Sequence, residues 1–242
     1  MAQPKTLISI ISARHRPEWR QALRETWLKT FPKDKADVFF FVGQGEPIAD
    51  PEGVVELDCK DDYNSLPSKV QSIVRWALCN GYTHVLKCDD DVILKPKALL
   101  DSGYEKHEYS GRSNRPESPY PVTVGFCYWM GRQVMEIIST CQLPPIDHCL
   151  PSPVDDERMV GYYLHLAGVK LVDDRRYFLH QYEIAPTTKS RPIRAPKRPG
   201  SLPSMWGPQP YTGTVAYCIH IQKSGQEKVD EYYRLYEKVK EQ

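Results

Sequence analysis

Three carboxylates stand side by side at Asp89-Asp90-Asp91, where the short run Val85-Leu86-Lys87-Cys88 ends and Val92-Ile93-Leu94 begins. Two like charges 4 Å apart repel by ~1 kcal/mol in water and by about 4 kcal/mol at an effective dielectric of 20. The end of a strand is therefore a poor place for three of them unless a cation joins them. Asp89 and Asp91 are spaced so that both can face one hard cation and leave it positions for phosphate oxygens. The plainer alternative is a solvated acidic turn flanked by Lys87, Lys95 and Lys97. A second acidic cluster, Asp155-Asp156-Glu157, opens a helical pattern. Acids in a first turn suit the helix macrodipole, an effect worth ~0.3–1 kcal/mol.

The elements that carry these residues can be read from spacing. Leu7 to Ser12 is a nearly continuous apolar run of the kind that forms a buried parallel strand. Pro17 suits the first turn of a helix, and Trp19, Ala22, Leu23, Trp27 and Phe31 follow at helical spacing. Asp37 to Gly43 and Val54 to Leu57 read as strands. Ser65 to Asn80 is an amphipathic helix that Gly81 stops in the left-handed region. The strand with the triplet comes next. Strand–helix alternation over the first hundred residues predicts an α/β sheet covered on both faces, whose ligands bind outside the carboxyl ends of the strands.

Further on, Tyr104 to Arg115 reads as polar and irregular, Tyr120 to Tyr128 as a strand, and Gly131 to Cys141 as a short helix. The helix opened by Asp155-Asp156-Glu157 buries Met159, Val160, Tyr163, Leu164 and Ala167 and ends at Gly168. Val169 to Val172, Tyr177 to Tyr182 and Val215 to Ile221 read as strands, and Val229, Tyr232, Tyr233, Tyr236 and Val239 mark a last helix. The stretch 186–210, rich in proline and basic residues, reads as a mobile loop.

The chain has 242 residues, 40% hydrophobic and 26% charged, with a formal net charge of +1. It can bury an ordinary core, and bulk charge does not mark it as a polyanion binder. No apolar run approaches the ~20 residues that span a bilayer. The start Met-Ala-Gln-Pro-Lys carries no signal peptide pattern. Seven cysteines without a C-x-x-C pair indicate neither a zinc ribbon nor a disulfide framework. The expected compartment is the cytoplasm, or the Golgi lumen if this is a catalytic domain cut from a longer protein.

Five separated segments resemble one family, in its order. Leu23-Arg24-Glu25-Thr26-Trp27 looks like the R-x-T-W helix of the inverting β1,3-glycosyltransferases, which include β1,3-galactosyltransferases, β1,3-N-acetylglucosaminyltransferases and Fringe. Asp62-Tyr63-Asn64-Ser65-Leu66-Pro67-Ser68-Lys69 resembles D-x-Y-x-N-L-T-L-K with one residue fewer before the Asn. Leu86 to Val92 resembles L-K-x-D-D-D-V. Tyr120-Pro121 with Gly125 resembles Y-P-x-Y-x-x-G. Asp156-Glu157-Arg158-Met159-Val160-Gly161 sits where the family has E-D-V-x-x-G, with the two acids in reversed order.

The resemblance implies a GT-A fold: one α/β domain over 1–242, with a mixed central sheet flanked by helices. Residues 1–103 would bind the nucleotide sugar and 104–242 the acceptor. It implies Mn²⁺, or Mg²⁺, held by Asp91, Asp89 and a late histidine, His220 or else His180. It implies a UDP-sugar donor, UDP-galactose first and UDP-N-acetylglucosamine second, and a glycan acceptor. Arg14, Arg20, Arg24, Asp62 and Lys69 are candidates for holding UDP, since an arginine beside a strand end can grip phosphate through two parallel hydrogen bonds. Asp90 would reach the ribose or the donor sugar. Three of these have a structural alternative: an ion pair on the sheet for Arg24, a helix cap for Asp62, an exposed helix lysine for Lys69. The general base falls among Asp155, Asp156 and Glu157, with Glu157 placed by counting back from Gly161 and Asp156 next. Tyr128, Trp129 and Trp206 are either acceptor-stacking aromatics or core. Two other readings compete: a degenerate transferase that binds nucleotide sugar or glycan without reacting, and a nucleic-acid contact through Lys189, Arg191, Arg194, Lys197 and Arg198.

Overall fold

In the computed structural model, which describes residues 4–113, 120, 122–143, 155–181, 216–220 and 226–240, strand β1 (Thr6–Ile11) has every residue buried. Its uninterrupted apolar run follows from being covered on both faces. Parallel strands lie on either side of it, β2 (Asp37–Gln44) and β4 (His84–Asp89), and β3 (Val54–Lys60) extends the sheet beyond β2. On the other side of β4 the sheet turns antiparallel through β7 (Thr123–Gly131) and β6 (Tyr109–Ser113), with β8 (Val172–Asp173) at the edge. The order is β3-β2-β1-β4-β7-β6-β8. A second sheet joins β5 (Val92–Leu94), β10 (Ala216–His220) and β9 (Tyr177–Gln181), in that order.

Helices cover both faces. On one face α1 (Pro17–Glu25) and α6 (Gln226–Lys240) pack Trp19, Leu23, Tyr232 and Leu235 against Ile8, Ile10, Leu86 and Trp129. On the other, α2 (Leu66–Cys79), α4 (Arg132–Thr140) and α5 (Asp156–Leu166) pack Val70, Val74, Ile138, Met159 and Leu164 against Leu7, Phe41, Val85 and Tyr128. The short α3 (Pro96–Leu100) follows β5. Gly81 and Gly168 end α2 and α5 at φ +76° and +70°, a region most side chains avoid. Among the described residues no helix is long and apolar enough to cross a membrane.

The spacing-based reading places most of these elements correctly and misplaces a few. Tyr104–Lys106 is a 3-10 turn and Tyr109–Ser113 is β6, where an irregular stretch was expected. β6 shows little apolar signal because it owes its place to pairing with β7. Gly111 lets the strands pair closely there: a Cβ would sit 3.0 Å from that of Tyr128 on β7, and a neighbour would have to give by a few tenths of an ångström. β7 starts at Thr123 rather than Tyr120 and runs to Gly131, and β8 is two residues long.

β1 is the switch point of the sheet: the chain leaves it toward β2 and β3 and then returns on its other side as β4. Open α/β sheets bind ligands outside the carboxyl ends of the strands at such a point. Ser12, just past β1, and Asp89, at the end of β4, both lie there.

Candidate active site

A cavity of about 570 Å³ opens at these strand ends, lined by Ser12, Arg16, Asp61, Lys69, Lys87, the Asp triplet, Gly125 and Glu157 among others. The triplet splits within it. Asp89 accepts a hydrogen bond from Lys87 at 2.6 Å, and burial, followed by the charges of Asp91 and Asp156, raises its proton affinity. Asp90 turns inward, accepting from Ser12 Oγ at 2.8 Å and pairing with Arg16 at 2.9 Å. Burial pushes its carboxyl up to about 6. Asp91 pairs with Lys228 of α6 at 2.9 Å.

The second acidic cluster forms the facing wall, and its three members do different things. Asp155 pairs with Arg158 at 2.7 Å. Asp156 is buried, accepts from the Tyr128 hydroxyl at 2.7 Å and lies 3.5 Å from Lys87. Glu157 lies in the cavity lining against Gly125, so close that a Cβ on that glycine would stand 2.7 Å from its Oε2. Burial first, then the charge of Asp156, pushes Glu157 up to about 7. That is the range in which a carboxylate works as a general base near neutral pH.

The six carboxyl groups of the two clusters stand against four cations, Lys87, Arg16, Arg158 and Lys228, a formal excess of two acids. Hard oxygen donors with such an excess suit a divalent cation such as Mg²⁺ or Mn²⁺. Among the described residues no three His, Cys, Asp or Glu side chains form a ready cage. His180 and His220 lie on the paired strands β9 and β10, with Ile219 opposite His180. Their side chains lie outside the described residues, as do Trp206, the stretch 186–210 and the basic residues from Lys189 to Arg198.

The residues expected to hold UDP are mostly committed to the fold. Arg20 is fully buried and grips the Asp50 carboxylate, its Nε 2.9 Å from Oδ2. Arg24 reaches the same oxygen at 2.7 Å and lies over the Phe40 ring. Arg14 donates to the carbonyls of Gly43 and Glu46 and to Glu56. None of the three lines the cavity. Lys69 is buried and clips the Ser12 carbonyl at 3.0 Å to Asp61 at 2.7 Å. Asp62 caps the turn Tyr63–Ser65 by accepting from Ser65 N at 2.8 Å, though it still lines the cavity. The wall arginine is Arg16, placed by the loop before Pro17. Tyr128 and Trp129 are core: each is 0% exposed, and Trp129 stacks on Tyr104 with ring centroids 3.9 Å apart.

Sequence reasoning passed over Asp61, Arg16, Lys228 and Gly125 as a contact. Asp61 was within reach: counting the D-x-Y-x-N-L-T-L-K segment back from Lys69 without a gap puts its Asp at 61. Asp61 accepts from the backbone N–H groups of Arg14 and Gly43 as well as from Lys69, so it ties β1, β2 and α2 together under the cavity. Lys228 left no local signal, because its partner is 137 residues away.

Residues 18–115 match the family described as Galactosyltransferase, a span that includes the R-x-T-W helix, Asp61 to Lys69 and the triplet. No curated protein sequence matches the chain. Among solved structures the chain is similar to a glycosyltransferase involved in the glycosylation of the major capsid of PBCV-1. That match has a TM-score of 0.55 at 12% identity and covers 96% of this chain and 100% of that one. It is also similar to a candidate nucleotide-diphospho-sugar transferase from Desulfovibrio desulfuricans G20, with a TM-score of 0.45 at 11% identity, covering 72% of this chain and 80% of that one.

Proposed function

We propose, from the premise that this chain is galactosyltransferase-like over residues 18–115 and GT-A-like in fold, that it is an inverting, metal-dependent glycosyltransferase. It moves a hexose from a UDP-sugar to a hydroxyl of a glycan acceptor, with galactose the first choice and N-acetylglucosamine the second. The observation that carries this reading is the pairing, across one cavity, of the triplet at the end of β4 with Glu157 from α5.

Asp91 and Asp89 would hold Mn²⁺ or Mg²⁺, with a histidine of β9 or β10 as a further ligand, and the ion would neutralise charge on the departing diphosphate. Arg16 adds a guanidinium beside Asp90, where donor oxygens would lie. Glu157 accepts the proton of the acceptor hydroxyl. The freed oxygen attacks the anomeric carbon from the face opposite the nucleotide, the bond from that carbon to the diphosphate oxygen breaks, and UDP leaves. A single displacement needs one base and no covalent sugar–enzyme intermediate. Asp156 does not serve as the base in this scheme. Its buried carboxylate is engaged by Tyr128 and Lys87 and fixes the start of α5.

The test is a screen of UDP-sugars with Mn²⁺, read as UDP release with and without glycan acceptors. Turnover that disappears in Glu157→Gln while UDP binding persists supports the assignment. UDP binding with no release across donors and acceptors would select the non-reacting binding module instead. Unchanged turnover in Glu157→Gln would remove Glu157 as the base.

A further inference from the structure

A diphosphate needs positive charge beyond one metal ion, and the cations deep in the cavity are already spoken for. Lys69 and Lys87 are each 2% exposed. Lys69 is fixed between Ser12 and Asp61, and Lys87 among Asp89, Asp156 and the Gly125 carbonyl. Two other cations are held quite differently. The Arg16 guanidinium lies 5.0 Å from the centroid of the buried Trp19 ring and pairs with Asp90. The Lys228 ammonium lies 5.1 Å from the same ring and pairs with Asp91. One indole thus supports two cations, each resting on a different member of the triplet. An aromatic face steadies a cation without consuming its hydrogen bonds.

The backbone beneath Lys228 is fixed. Its neighbour Val229 and, further along α6, Tyr232 and Leu235 are buried, with Tyr232 edge-on to Trp19. The Lys228 side chain keeps 19% of its surface exposed, and a lysine stem is flexible. Its ammonium can therefore change partners while α6 stays docked.

We propose that Lys228 is a diphosphate-binding residue, its ammonium resting on Asp91 in the free protein and passing to a phosphate oxygen when a metal-bound nucleoside diphosphate takes over that carboxylate. The inference rests on the transferase reading and adds a donor-binding residue from the far end of the chain. It accounts for a lysine on the carboxylate best placed to hold the metal. It also gives Trp19, already core, a second task as the platform that keeps both cations against the triplet.

The experiment compares the full chain with Lys228→Met and Lys228→Arg. Calorimetry measures UDP binding at Mn²⁺ concentrations that saturate each protein, and the free-ion EPR signal measures Mn²⁺ binding without nucleotide. Losing one charge-assisted hydrogen bond should weaken UDP binding in Lys228→Met by roughly ten- to a hundredfold. Mn²⁺ alone should bind the same variant more tightly, because Asp91 is released. Lys228→Arg, which keeps the charge, should bind UDP with Mn²⁺ close to wild type. Opposite shifts for nucleotide and metal are a signature that a packing role would not give. Unchanged UDP affinity in Lys228→Met overturns the role of Lys228 alone. Equal losses of both ligands in Lys228→Met and Lys228→Arg overturn it in favour of a structural role. A wild-type chain that binds neither UDP nor pyrophosphate with Mn²⁺ strikes the transferase reading itself.

Discussion

Replacing Gly125 with alanine tests whether Glu157 works from the position the structure gives it. The added Cβ would stand 2.7 Å from Glu157 Oε2, against 3.4 Å at the near edge of ordinary contact, so the carboxylate must move and a retreat of about 0.7 Å restores that contact. A misplacement of ~1 Å at a reacting group costs on the order of 10²-fold in rate. Turnover should therefore fall roughly ten- to a hundredfold, ~1.4–2.7 kcal/mol of transition-state stabilisation, with the donor KM nearly unchanged. The protein should remain almost as stable as before. What yields is the end of a flexible side chain, and alanine in a strand gains about 0.5–1 kcal/mol over glycine. Net stability should thus move by no more than about 1 kcal/mol. Steady-state sugar transfer and a urea melt on the same preparation give both numbers. A folded Gly125→Ala protein with wild-type turnover would refute the reasoning, and so would a large loss of stability, which would mean that the strand gives way instead of the carboxylate.

Turnover should climb as pH rises through about 7 and then level off, because Glu157 must lose its proton to act as a base. Its proton affinity is raised above the ordinary value of 4.5, so the folded state keeps that proton to higher pH than the unfolded state does. Stability relative to Glu157→Gln should therefore decline between about pH 4.5 and 7, read from urea melts across that range. Asp50→Ala leaves the fully buried Arg20 without its carboxylate and should cost about 3 kcal/mol in the same melts. Asp61→Ala should cost a similar amount, about 3 kcal/mol, because buried Lys69 and two backbone N–H groups lose one acceptor, and its melting temperature should fall accordingly.

The parts legible in the sequence were those with a local cause. Apolar runs marked β1 and β2, helical spacing marked α1, α2 and α6, and the triplet marked the mouth of the cavity. The parts that were not legible depend on partners far along the chain. Arg20 and Arg24 look like phosphate ligands until Asp50, 30 and 26 residues later, is seen to claim both. Nothing near Lys228 announces Asp91, and nothing near Gly125 announces Glu157. β6 is a strand because β7 lies beside it, so its own residues say little. Tyr128 and Trp129 show the same limit from the other side. An aromatic pair is compatible with sugar stacking, and only the pleat of β7, which sends each ring into a different buried layer, decides against it.

The triplet also divides its attention between the two layers of the fold. Lys87, which holds Asp89, faces Asp156 at the start of α5, whereas Asp91 reaches Lys228 on α6, across the sheet. Under the proposed transferase function, a diphosphate held through Asp91 and Lys228 and an acceptor hydroxyl met by Glu157 would depend on helices from opposite layers. On that reading, changes in α5 should retune which hydroxyl is accepted, and changes around α6 should alter how the nucleotide is held. Chimeras that exchange one wall and keep the other would test that division.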